Sequence, residues 1–135
     1  KKITMNNKLD KILAEISAGE LIDKITILEI KKTKINDVEK LKDIEKELSS
    51  LKATLKNSIS DIVKIQELID KLKSINLKLW DIENKKRLAE KSNDFGEKFI
   101  ELSRSVYKNN DERSRIKLEI NNILGSNIKE VKSHY

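Results

Sequence analysis

The chain has no cysteine and no proline, and only three glycines, one tryptophan and one histidine in 135 residues. Without cysteine there is no disulfide, no thiolate nucleophile and no sulfur-based zinc site. His134 is the lone imidazole, which disfavours a histidine-based metal centre within one chain, so no metal or other cofactor is expected. Missing proline and scarce glycine remove the usual helix breakers and point to long helices. Aromatics make up 4% of residues, too few for a large α/β or β core, so the core must be built from Ile and Leu. No apolar run approaches the roughly 20 residues needed to cross a membrane. No signal peptide is recognisable, and a cytoplasmic location is the expectation.

What the chain does have is charge. Charged residues make up 39% of it, with a formal net charge of +6. Lysines and acids are interspersed, which is how solvated faces of a coiled-coil bundle read. The modest positive excess leaves an anionic small molecule as a candidate partner, while nucleic acid is disfavoured because basic residues are not interleaved with several aromatics.

Helix signals punctuate the sequence. Residues 1–16 include Ile3, Met5, Leu9, Ile12, Leu13 and Ile16 and allow a short helix, or from Ile12 to Ile16 an extended strand leading into the next signal. Ser17-Ala18-Gly19-Glu20 then reads as a capping box, starting a helix near Ala18 that runs to about Lys34. That helix is apolar on two sides. Leu21, Ile22, Ile25 and Leu28 form one face, Ile27 and Ile30 a second, and Asp23, Thr26 and Glu29 lie near the interior. A helix apolar on two sides is packed on two sides. Asn36 or Asp37 caps a second helix with the seam Leu41, Ile44, Leu48, Leu51 and Leu55.

Asn57-Ser58 is read as the break before a third helix with the seam Ile62, Ile65, Ile69, Leu72, Asn76 and Leu79. So short a break implies an antiparallel hairpin over residues 37–90, with Leu51 near Ile65, Leu48 near Leu68 and Ile44 near Leu72. After Ser92-Asn93-Asp94 comes a fourth helix, closed by Gly125 as a left-handed C′ residue. Folding it back on the third puts Asn76 opposite Asn109, Leu72 near Arg113 and Leu79 near Val106. The expected fold is all-α: a single domain over 1–135, with an N-terminal segment at 1–16, a bundle of about four helices over 17–125 built on an antiparallel helical hairpin, and an extended tail at 126–135.

The fourth helix carries the oddest pattern. Phe95, Phe99, Leu102 and Val106 step along a seam that turns polar at Asn109 and Arg113, then apolar again at Ile116, Ile120 and Ile123. The chain has 25 lysines but four arginines, so each arginine is a candidate for its planar fork rather than its charge alone. Arg104 and Lys108 share a helical face and call for an intervening anion. The expected polar cluster is Asp23, Glu29, Arg104, Tyr107, Lys108, Asn110, Asp111 and Arg113. It is either a structural ion-pair network or a pocket for a phosphate or carboxylate. Trp80 is either core filler or a stacking platform. Gly19 belongs to the capping box, since no glycine-rich phosphate loop surrounds it. No Ser/His/Asp or Cys/His set is available, so no enzymatic activity is expected.

Several of these segments resemble a bacterial family of short proteins known only as a domain of unknown function. They are Gly19 to Lys31, Leu79-Trp80-Asp81-Ile82-Glu83, Phe99 to Arg113, and Leu124-Gly125-Ser126 with Glu130 to Ser133. The resemblance implies no activity. The expected role is a non-enzymatic interaction or adaptor module that forms a homo-oligomer or meets a protein partner. The alternatives are an accessory protein binding a phosphate or sugar phosphate, and then RNA or DNA binding. Self-association is expected from apolar residues beyond one stripe: Ile27 and Ile30 on the first helix, and Leu68, Ile75 and Ile82 on the third.

Overall fold

The computed structural model describes residues 8–133; Ile3, Met5 and His134 lie outside them. Four helices form: α1 (Ala18–Lys34), α2 (Val38–Ser58), α3 (Gln66–Lys91) and α4 (Glu97–Leu124), with one 3-10 turn at Val63–Ile65. No strand occurs among the described residues. None of their helices is long and apolar enough to cross a membrane. Residues 8–16 and 126–133 hold no regular element, so the described part of the lead-in is neither helix nor strand, and the tail is described below by its contacts.

The organising element is α1. Leu21, Ile25 and Leu28 on one side pack with Ile44 and Leu48 of α2, and Leu51 and Leu55 close the layer. Ile22 on the other side joins Ile65, Leu72, Ile75, Ile116 and Ile120, the core shared with α3 and α4. At 100° per residue, Leu21, Ile25 and Leu28 lie within about 60° of one another, while Asp23, Thr26 and Ile30 point to the opposite half of the helix. The two-sided pattern of α1 is therefore satisfied by a different neighbour on each side.

This arrangement corrects the expected central hairpin. The extensively packed pairs are α3 with α4 and α1 with α2, while α2 and α3 do not pack along their lengths. Leu48 and Ile44 meet α1 instead of Leu68 and Leu72. The reason is the connection. Helix α2 continues through Ser58, and the chain then runs non-helically from Ile59 to Ile62. Ile59 and Ile62 pack onto the core containing Ile22 and Ile65, so this stretch passes the N-terminal end of α1 and delivers α3 to its other side. A tight turn could not make that crossing. The second turn falls where expected. Asn93 is left-handed at φ 54°, but the N-cap of α4 is Gly96 without a side-chain cap. Gly125 adopts φ 66° and ends α4 as its position implies.

The residues that argued for self-association are largely covered within the chain. Ile30 and Ile75 are buried, and Ile27, Leu68 and Ile82 are half-buried. The exposed large apolar residues lie elsewhere, including Leu88, Phe95 and Ile100 around the α3–α4 turn.

Candidate functional site

The polar interruption in α4 finds its partner on α1. Asp23 is fully buried, and the Arg113 Nε donates to its two carboxylate oxygens at 3.0 and 3.2 Å. The Arg113 Nη2 forms a further short contact with Oδ2. Asn76 on α3 completes the set, its Nδ2 donating to Asp23 Oδ1 at 2.9 Å and to Thr26 Oγ1 at 2.8 Å. The Thr26 hydroxyl donates to the Asp23 carbonyl at 2.8 Å. Three helices are thus tied at one buried carboxylate. Its hydrogen bond to Asp23 raises the Arg113 guanidinium above its ordinary value despite opposing burial, so the cation persists.

One turn toward the C-terminus of α4, Lys117 makes a second junction. Its Nζ lies 2.5 Å from Glu20 Oε2, 3.5 Å from Glu130 Oε2 and 3.7 Å from Asp23 Oδ2. Burial works to raise the Glu20 carboxyl, but its hydrogen bond from Lys117 and that ammonium's charge work the other way, and the group lies below its ordinary 4.5. The reciprocal half of the capping box is therefore diverted. Ser17 Oγ accepts from the Glu20 amide at 3.2 Å, as expected, while the Glu20 side chain engages Lys117.

The C-terminal segment closes the start of α1. Gly19 N donates to Asn121 Oδ1 at 2.6 Å, Ala18 N to Ser126 Oγ at 3.1 Å, and Ser17 Oγ to Glu130 Oε1 at 3.1 Å. The orphan amides of Ala18 and Gly19 are thereby satisfied from the far end of the chain. Gly19 is needed for this approach, because a Cβ there would sit 2.5 Å from the Lys117 carbonyl oxygen. The tail continues beside α4 as far as Asp111, which pairs with Lys132 at 2.8 Å.

Of the expected cluster, Asp23 and Arg113 meet directly. Asn110 joins them by accepting from Arg113 Nη1 at 3.4 Å. Asp111 pairs with the tail instead. Glu29 faces α2 and pairs with Lys52 at 3.3 Å. Arg104, Tyr107 and Lys108 are exposed and do not join. Arg104 precedes Arg113 by about two and a half turns, which puts it on the opposite face of α4. Asn76 does not meet Asn109, whose amide donates to the Ser105 carbonyl within α4. Lys117, Glu20, Asn121, Ser126 and Glu130 are additional members that periodicity alone does not reveal.

No buried side-chain nitrogen or oxygen among the described residues lacks a hydrogen-bond partner. The described residues also contain no His/Cys/Asp/Glu group arranged to hold a metal ion. The described residues thus form an all-α fold of four helices around an internally paired polar centre. Residues 12–135 match the family model described as Family of unknown function (DUF6165), and the chain belongs to that family. No curated protein and no solved structure matches the chain.

Proposed function

We propose that this chain is a non-enzymatic helical interaction module that self-associates through the turn end of the α3–α4 hairpin. One observation carries the reading. Leu88 is 63% exposed and Phe95 49% exposed on a part of the hairpin where neither α1 nor α2 contributes to the surface clefts. Phe95 stacks edge-on with Phe99 at 5.3 Å, and Phe99 borders the same shallow cleft as Leu88. The three side chains form one apolar patch.

The occupant is a second copy. Between residues 83 and 101 the chain carries five basic and five acidic residues, although the whole chain is +6. A two-fold contact presents a patch to itself, so a patch of one sign would repel, whereas a balanced one supports crossed ion pairs. The polar centre supports the same division of labour. Arg113 pairs there with Asp23, and Lys117 with Glu20 and Glu130, so the centre ties helices together and the hairpin end is left to meet another copy.

Sedimentation velocity over a concentration series tests this reading. Wild type should shift from monomer to dimer, and Leu88→Glu with Phe95→Glu should remain monomeric with unchanged helical circular dichroism. A wild type that stays monomeric throughout, or a double variant that still dimerises, would refute it.

A further inference from the structure

We infer that the chain binds a small planar organic anion, a carboxylate or phosphate monoester, in a cleft beside the polar centre. The inference does not depend on self-association. The cleft has a volume of about 370 Å³ and is where α1, α3 and α4 meet. This lies at the small end of ligand pockets, which run from about 300 to 1,000 Å³. Ile27 and Ile30 of α1 and Leu79 of α3 give it an apolar wall, and Trp80 lines it as well.

Its polar groups are unevenly used. Among the described residues, the Trp80 indole N–H, the Asn84 amide and the Arg87 guanidinium have no hydrogen-bond or ion-pair partner. The other cation of the cleft, Arg113, is committed to Asp23 through Nε and Nη2. Its Nη1 has only the long 3.4 Å bond to Asn110, and a guanidinium has five N–H groups to place. With its side chain 28% exposed against 0% for Asp23, Arg113 faces both the buried carboxylate and the cleft. Arg113 is neutralised by Asp23 behind it, which leaves Arg87 as the cation of the lining without an ion-pair partner among the described residues, with Glu83 as the lining's one carboxylate.

That combination selects a ligand. An acidic head satisfies Arg87 and the spare donors of Arg113, for which bidentate geometry suits carboxylate and phosphate alike. A planar body lies on the indole and against the two isoleucines, so the free anion lacks half of the interaction. This assigns Trp80 the platform role and moves the anion site away from Arg104, which is on the opposite face of α4.

Trp80 is the sole tryptophan, so its emission reports on the cleft directly. Phenyl phosphate and benzoate, titrated separately into the full chain, decide between the two head groups. At least one should change the emission saturably, with a matching heat in calorimetry. Phenol and inorganic phosphate should bind more weakly by about tenfold or more, each lacking one half of the contact. Arg87→Ala, an exposed position, should weaken binding by a similar factor while leaving the unliganded melting temperature unchanged. Three results would each overturn the proposal: no saturable change with either probe, equal binding of inorganic phosphate, or undiminished binding by Arg87→Ala.

Discussion

Replacing Arg113 by methionine removes the cation and keeps much of the side-chain volume. What remains is Asp23, fully buried, with Asn76 Nδ2 at 2.9 Å and Lys117 at 3.7 Å. Breaking one side of a buried pair costs about 3–5 kcal/mol, because the other charge is left uncompensated. Lys117 and Asn76 still offer partial compensation, which places the expected loss near the lower end, about 3 kcal/mol. The double variant Asp23→Leu with Arg113→Met removes both charges and leaves Asn76 its bond to Thr26 Oγ1 at 2.8 Å. It should be more stable than Arg113→Met alone by at least about 1.5 kcal/mol, since replacing a whole buried pair with apolar groups is often neutral. Urea unfolding followed by circular dichroism gives both numbers. A loss within about half a kcal/mol for Arg113→Met, the range of surface changes, would refute the reasoning. Simple additivity of the two single substitutions would refute it as well.

Gly19→Ala should destabilise by about 1–3 kcal/mol in the same assay, because the new Cβ meets the Lys117 carbonyl oxygen at 2.5 Å and backbone must shift. Leu72→Ala and Leu48→Ala should each cost roughly 2–5 kcal/mol in urea unfolding, the first through the α1–α3–α4 core and the second through the α1–α2 layer. Glu20 titrates below 4.5 in the folded chain, so as pH falls below that value the unfolded chain gains its proton first and stability drops. Thermal melts from pH 7 downward should therefore show Glu20→Gln less stable at neutral pH and less steeply weakened by acid than wild type.

The helices were legible because their signals are local. Ser17 accepts from Glu20 N, Asp37 caps α2 and Gly125 ends α4, each a matter of a few adjacent residues. The two-sided apolar pattern of α1 foretold its two layers, and Arg113 on an apolar seam foretold a buried acid on α1. The pairing of α2 was not legible. Heptad seams are interchangeable, so Ile44 and Leu48 fit α3 on paper as well as they fit α1. The deciding feature is the crossing at 59–62, where isoleucines continue the apolar pattern while the helix stops. The closure at Gly19 was hidden for another reason. Its partners Asn121, Ser126 and Glu130 lie more than 100 residues from it, and the last two sit in an irregular segment without any period. Arg104 and Lys108 were drawn into the cluster by composition, but their helical phase turns them to solvent.

The absence of native cysteine allows the contact between copies to be read directly. Single substitutions Leu88→Cys at the hairpin end and Lys46→Cys on the exposed face of α2 can be oxidised under identical mild conditions. Self-association through the hairpin end predicts rapid disulfide-linked dimers from Leu88→Cys and only slow, collision-limited linkage from Lys46→Cys. Equal rates at the two positions, or faster linkage through α2, would contradict it.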